Sequence, residues 1–226
     1  MIRHLFRKIT HLIQGMTSKT PLPKREFSLD RDTGIQKRDY TTYAEYLDHQ
    51  VRKLNTQGND IKHYDQEYED IVRNRYITLG DWKGKSVICL AARLGGEVRA
   101  FKSLGALAIG IDIEPGPKNC HVLHGDFHHL EFPDESFDVA FTNAVDHVYD
   151  LRRFLQEAAR VLKRGGQFIC EVCQNKPSKY EVLDLAELNP LLVAFQEYFS
   201  VERQQNISMQ AGFVKWTGTL VVLQKK

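Results

Sequence analysis

Two hydrophobic periodicities divide this chain. Between residues 40 and 77, apolar and aromatic positions recur every three or four residues. Tyr43, Tyr46, Leu47, Val51 and Leu54 form one set, and Tyr64, Tyr68, Ile71, Val72 and Tyr76 form another. That spacing predicts two helices, over 40–56 and 64–77, with half-buried faces rich in tyrosine that suit a lid over a pocket. From residue 86 the pattern changes. Short β-branched and apolar runs alternate with helical segments. SVICLAA, ALAIGIDI, HVLHGD, SFDVAFTNA and GGQFICEVC each have the length and composition of a buried parallel strand. GEVRAFKSLG reads as a helix ending at Gly105, DLRRFLQEAARVL as an amphipathic helix over 150–162, and a further helix is expected near 180–199. FSVERQQNISMQ and KWTGTLVVLQKK read as two final strands joined at Ala211–Gly212, hence antiparallel.

Strands alternating with helices give an α/β fold, a doubly wound, seven-stranded and mostly parallel sheet. It carries an antiparallel C-terminal hairpin and an N-terminal helical extension. Three regions are expected: a basic segment and linker over 1–38, a helical cap over 39–80 and the Rossmann-like domain over 81–226. Leu5, Ile9, Leu12, Ile13 and Met16 lie at helical spacing among basic residues. Residues 1–16 therefore read three ways: as a packed or solvated helix, as an amphipathic helix on an anionic membrane surface, or as an organelle-targeting presequence. Residues 17–38 are polar, contain Pro21, Pro23 and Gly34, and read as a linker or a surface-hugging segment.

Charge sharpens this division. The net charge is +2, yet residues 1–25 hold six basic residues and no acidic one, so residues 26–226 carry −4. A mildly acidic body argues against a nucleic-acid binder. Cys89, Cys120, Cys170 and Cys173 are too few for a disulfide framework in 226 residues, which points to a reducing, cytosol-like compartment. Peripheral contact with a membrane is open through residues 1–16. No apolar run reaches the roughly 18 residues of a membrane span.

In an open α/β sheet, ligands bind beyond the carboxyl ends of the strands. After the first strand stands Ala91-Ala92-Arg93-Leu94-Gly95-Gly96-Glu97, a tight turn into a helix. Small residues there allow a ligand close to the backbone, and the helix N-terminus offers N–H groups; the same residues also suit close helix–strand packing. The second strand ends at Asp112, placed to accept hydrogen bonds from both hydroxyls of a ribose. The third ends at Gly125-Asp126-Phe127, where a carboxylate can accept from an adenine amine and the following N–H can read a ring nitrogen. The fourth ends at Thr142-Asn143-Ala144-Val145-Asp146-His147.

The order of these segments resembles the class I S-adenosylmethionine-dependent methyltransferases, of the small type 11 kind. The resemblance is carried by Gly125-Asp126, by Leu130 to Val139 (LEFPDESFDV), by Asp146-His147-Val148, by FLQE over 154–157 and by RVLKRGG over 160–166. It covers about residues 85–175, and the final two strands are compatible with the family's hairpin. It implies S-adenosylmethionine as cofactor, held by Ala91, Arg93, Gly95, Asp112, Asp126, Phe127 and Asn143. One departure stands out. Where the family reads acid-x-Gly-x-Gly-x-Gly, this chain has Cys89, Ala91, Arg93 and Gly95. That is either a variant loop, with Glu97 or Asp112 offsetting Arg93, or a lost cofactor site.

The resemblance implies methyl transfer, which is mainly alignment of nucleophile, methyl and leaving sulfur. A hydroxyl or acidic carbon acceptor would also need a base, for which Asp146 and His147 are candidates, and Glu171 a weaker one. No metal is expected: His124, Asp126 and His128 match no common site, and Cys170 and Cys173 point to opposite faces of a strand. The expected activity is methylation of a small-molecule, lipid-linked or sugar-linked acceptor. The alternative is a catalytically degenerate binding or scaffold protein. A nicotinamide oxidoreductase is disfavoured because Gly-x-Gly-x-x-Gly is absent after the first strand.

Overall fold

The computed structural model describes residues 25–212 and 214–226, with residues 53–60 described as backbone only. The amphipathic stretch 1–16 therefore lies outside the described residues. Seven strands form the main sheet: β3 (Ser86–Leu90), β4 (Leu107–Asp112), β5 (Val122–His124), β6 (Phe137–Thr142), β7 (Leu162–Cys173), β9 (Phe199–Ala211) and β10 (Val214–Lys225). Their spatial order is β5-β4-β3-β6-β7-β10-β9. The first five run parallel, β10 is antiparallel to both β7 and β9, and the chain reverses direction along the sheet on either side of β3. The seven-stranded, mostly parallel sheet with its antiparallel hairpin is the one the strand pattern predicts.

Alternation along each strand feeds two cores. In β3, Ile88 and Leu90 face one layer, with α3 (Leu151–Val161) and α4 (Asn189–Phe195). Val87 and Cys89 face the other, with α2 (Gly96–Ser103) and the C-terminal part of α1 (Tyr43–Tyr76). Both faces of the strand are covered, so it reads as an unbroken apolar run rather than an alternating one.

Three local features differ from the sequence reading. The two tyrosine-rich helices are one continuous helix, α1, of 34 residues, started by a Thr42 side chain that accepts from the Glu45 N–H. The polar stretch before it contains a small antiparallel hairpin, β1 (Phe27–Leu29) with β2 (Gln36–Arg38), joined by β8 (Leu183–Asp184). The region near 180–199 forms β8 and the short α4 rather than one long helix, with Pro190 in the first turn of α4. The hairpin is docked by Arg38, which is buried and donates to the carbonyls of Glu181 and Ser178 at 2.7 and 2.5 Å.

Helix α1 is what brings the two cores together over the sheet. Tyr43 and Tyr46, at its start, pack in the α3 layer with Tyr40 just before it, whereas Tyr64, Tyr68, Val72 and Tyr76 pack in the α2 layer. The helix thus passes from one layer to the other. Its second half is fixed by charge as well as packing. Glu171 of β7 is wholly buried and accepts from Tyr68 Oη at 3.1 Å, Tyr76 Oη at 2.9 Å and Arg75 Nη1 at 2.5 Å. Asp65 and Glu69 share the guanidinium of Arg99, each at 2.6 Å. Among the described residues, no helix is long and apolar enough to cross a membrane.

Candidate active site

The carboxyl ends of β3, β4, β5 and β6 place the singled-out residues side by side. The turn after β3 has an uncommon backbone. Ala91 and Arg93 have φ of 60° and 48°, and Gly95 has φ of 93°. Left-handed backbone costs an L-residue about 1–2 kcal/mol, so this turn retains the shape that three glycines would adopt freely. Two neighbours hold it there. The Arg93 N–H donates to Asp112 Oδ2 at 2.9 Å, and the Gly95 N–H donates to the Ala92 carbonyl at 2.7 Å.

Asp112, at the end of β4, is buried, and its other oxygen accepts from the Glu114 N–H at 2.8 Å. Each carboxylate oxygen therefore makes one backbone hydrogen bond and has acceptor capacity to spare. Asp112 thus does two jobs that the sequence does not separate: it ties the β3 turn to β4, and it presents oxygens at the strand ends.

Helix α2 begins under unusually close cover. A Cβ at Gly96 would lie 2.5 Å from the Asp65 carbonyl of α1, so only glycine lets the two helices meet. The Gly96 N–H donates to Asp65 Oδ1 at 2.9 Å, so this donor is already engaged rather than open to a ligand. Next to it Glu97 is buried, and burial pushes its carboxyl up to about 8, with Asp65 and Asp112 adding to the rise and Arg93 opposing it. The Arg93 guanidinium lies over the Tyr64 ring at 5.5 Å.

Asp126, just past β5, is the most heavily engaged group. Its Oδ1 accepts from the His128 N–H at 2.8 Å and lies 3.0 Å from His128 Nδ1. His128 Nε2 accepts the Asp150 N–H at 3.1 Å, which fixes the proton on Nδ1 and makes that nitrogen the donor to Asp126. Asp126 Oδ2 accepts from the Tyr43 hydroxyl at 2.5 Å, and the Tyr43 oxygen also lies 3.0 Å from His128 Nδ1. Burial works to raise the Asp126 pKa, but the donors from His128 and Tyr43 outweigh it and hold the carboxyl below its ordinary value. Phe127 is buried against Phe154, ring centroids 5.1 Å apart, so its side chain serves the core.

Beyond β6, Asn143 is half-buried, and Asp146 and His147 lie in a single 3₁₀ turn (Val145–His147). His147 Nδ1 lies 3.2 Å from the Tyr180 carbonyl, to which it donates when protonated, and its Nε2 lies 4.0 Å from Asp146 Oδ1. Ligand atoms of Asp146, His147 and Glu181 lie within 4.8 Å of one another. Glu181 is brought there by the docked hairpin, since the Arg38 N–H donates to Val182 and the Val182 N–H to Asp146.

Asp112, Asp126, the β3 turn and the Asp146–His147 turn thus gather at one edge of the sheet. Glu171 does not, because its oxygens are bound within the α1 interface. Three residues of this edge lie outside the sequence candidates: Tyr43, His128 and Glu181. Only the helical spacing of Tyr43 and the histidine density around 121–129 hinted at the first two.

A nucleoside cofactor fits these residues. The turn keeps its left-handed path without two of its glycines, and carboxylates end both β4 and β5. The methyltransferase-domain family matches residues 89–170. The chain is 34% identical over 110 residues to the demethylmenaquinone methyltransferase of Tropheryma whipplei, covering 42% of this chain and 44% of that protein. It is 35% identical over 108 residues to the phthiotriol/phenolphthiotriol dimycocerosates methyltransferase of Mycobacterium tuberculosis, covering 42% and 40%. The chain spans less than half the length of these curated relatives. The fold is similar to that of Burkholderia thailandensis 1,6-didemethyltoxoflavin-N1-methyltransferase, with a TM-score of 0.62 over 89% of this chain and 99% of that one at 15% identity. PH0226 of Pyrococcus horikoshii gives 0.57 over 71% and 92% at 19% identity. With its sheet order and its ordered motifs, the region over residues 89–170 matches the methyltransferase-domain family and is similar in fold to S-adenosylmethionine-dependent methyltransferases.

Proposed function

We propose that this chain is an S-adenosylmethionine-dependent methyltransferase with a small-molecule acceptor. The observation that carries the reading is the pair of carboxylates, Asp112 and Asp126, at the ends of adjacent parallel strands beside a left-handed β3 turn. In this reading Asp112 takes the ribose hydroxyls and Asp126 the adenine amine. The Phe127 N–H reads the ring, the backbone of Ala91, Arg93 and Gly95 lines the turn, and Asn143 borders the reacting end. The cofactor, when bound, supplies an electrophilic methyl group. The chain's own task is alignment and, for a hydroxyl or carbon acceptor, proton removal. His147 is the candidate for that task because its Nδ1 is oriented by the Tyr180 carbonyl and its Nε2 lies beside Asp146, in the turn beyond β6.

Of the acceptor classes, a lipid-linked one is supported by the names of two relatives, a demethylmenaquinone and a dimycocerosate methyltransferase. A cytoplasmic enzyme, peripheral at a membrane through residues 1–16, suits that class. The regions 1–38, 39–80 and 81–226 then act as anchor, cover and catalytic domain. A second reading, a binding protein with a degenerate site, draws on Arg93 in place of a glycine.

Calorimetric titration with S-adenosylmethionine, S-adenosylhomocysteine and, as control, NAD separates the two. Micromolar binding of the first two supports the enzyme, and no binding by a folded sample supports the degenerate protein. Asp112→Ala should abolish binding; unchanged affinity would remove Asp112 from the ribose site.

A further inference from the structure

Asp126 differs from the buried carboxylates that hold helices in place. Glu171, Asp65 and Glu157 each pair with an arginine, respectively Arg75, Arg99 and Arg160. Among the described residues, Asp126 has no lysine or arginine partner. Its donors are a backbone N–H, a phenol and the ring N–H of His128. In this it is like Asp112, whose oxygens meet two backbone N–H groups. Such donors orient a carboxylate without cancelling its charge. A carboxylate offers about four acceptor positions. Oδ1 takes both N–H groups of His128, whereas Oδ2 takes the Tyr43 hydroxyl alone, so a position on Oδ2 remains. The side chain is 12% exposed, which shields that position from bulk water and strengthens a further hydrogen bond made there.

The two side chains that meet Asp126 are themselves held by other elements. His128 Nε2 accepts the Asp150 N–H at 3.1 Å, and the His128 carbonyl accepts from Arg153 Nε at 2.9 Å, so the start of α3 sets the direction of the ring. That ring packs against Tyr43, Tyr46 and Phe127, with centroids at 5.6, 5.9 and 4.6 Å. Tyr43 opens α1, and its ring meets Tyr46 and Tyr149 at 5.3 and 5.2 Å. Its oxygen touches both His128 Nδ1 and Asp126 Oδ2, so the three side chains form one closed network in which each contact limits rotation of the others. Burial and the neighbouring Asp126 raise the Tyr43 hydroxyl well above its ordinary value, which keeps its proton in place.

We propose that Tyr43 and His128 are positioning residues for base recognition. They fix the Asp126 carboxylate so that the remaining acceptor position on Oδ2 takes the adenine amine, and they thereby set a preference for adenine over a base that lacks this donor. The inference rests on the assignment of Asp126 to adenine. It gives the starts of α1 and α3 a shared part in cofactor selection, because each supplies a contact that aims the same carboxylate.

The test compares S-adenosylhomocysteine with its inosine analogue, which carries a carbonyl in place of the 6-amino group, by calorimetry. The unaltered protein should prefer the adenine ligand. Tyr43→Phe keeps the ring and removes the hydroxyl, and His128→Leu removes the ring N–H. Each should lower that preference about three- to tenfold, the scale of one net hydrogen bond, by weakening the adenine ligand and not the inosine one. His128→Asn, whose side-chain amide can donate from the place of Nδ1, should keep the preference. Equal weakening of both ligands, or an unchanged preference in Tyr43→Phe and His128→Leu, overturns the inference and leaves the cofactor reading standing. A preference lost in His128→Asn as fully as in His128→Leu removes His128 from the role. If His128→Leu fails to melt cooperatively, Tyr43→Phe decides. Equal binding of the two ligands by the unaltered protein removes Asp126 from adenine and overturns the inference with it. No binding of S-adenosylhomocysteine by a cooperatively melting protein brings down the cofactor reading as well.

Discussion

The two halves of α1 touch the rest of the chain through different chemistry. The second half meets buried charge. Arg75, Tyr68 and Tyr76 all donate to Glu171, and Asp65 both pairs with Arg99 and receives the N–H of Gly96. Nothing there can be withdrawn without stranding a charged or polar group away from water. The first half meets the candidate site instead, through aromatic edges, the Tyr43 hydroxyl beside Asp126 and His128, and a neutral bond from Gln50 Nε2 to the Tyr180 carbonyl. One helix therefore serves as a charged strut at one end and as an aromatic cover beside the candidate site at the other. Continuity of the helix links the two, while the strength of the contacts separates them.

The largest expected effect tests the strut. Arg75→Ala leaves Glu171 buried without its cation, and should lower unfolding stability by about 3–5 kcal/mol in urea titrations. Replacing both Arg75 and Glu171 with leucine removes the stranded charge but leaves the Tyr68 and Tyr76 hydroxyls without their acceptor, so it should recover only part of that loss. If Arg75→Ala costs no more than a surface substitution, the two halves of α1 do not differ in the way described.

An effect of comparable total size, spread over pH, arises where the strut presses on α2. Unfolded, Glu97 ionises near 4.5; folded, near 8. Between these values the unfolded chain has released a proton that the folded chain keeps, so stability falls as pH rises and levels off above 8. The slope is about 1.4 kcal/mol per pH unit while it lasts. Glu97→Gln should remove this slope, measured as denaturant midpoints from pH 5 to pH 9. An unchanged slope would mean that Glu97 is not held neutral.

The smallest effect concerns the turn that both halves overlook. Arg93→Gly removes left-handed strain but frees the unfolded chain, so a net gain of about 0.5–1 kcal/mol is expected in thermal melts. Cofactor affinity should be preserved or improved. A large loss of affinity would show that the guanidinium lying over Tyr64 itself contacts the ligand.

Much of the sheet is legible in the chain because a parallel strand covered on both faces must be a short apolar run. Val87 to Leu90 and Phe137 to Thr142 can hardly be anything else. The same economy makes Asp112 and Asp126 visible: each is an acid at the end of such a run, where burial is costly unless something needs it. The N-terminal third is harder. Its hairpin is short and polar, and it is held by Arg38 against the carbonyls of residues more than a hundred positions away, an interaction with no local signal. The continuity of α1 is hidden for a related reason. Residues 53–60 carry little apolar spacing, and the helix persists through them because both ends are anchored.

What the sequence determined by itself is the order of strands and helices, the ends of the strands and the acids that stand there, since these follow from periodicity and from the cost of burying charge. What only the tertiary structure decided is which of those acids are already engaged. Asp126 is met by Tyr43 across 83 positions and Glu171 by Arg75 across 96. Pairing at such separation depends on where whole helices pack, and no spacing along the chain records it.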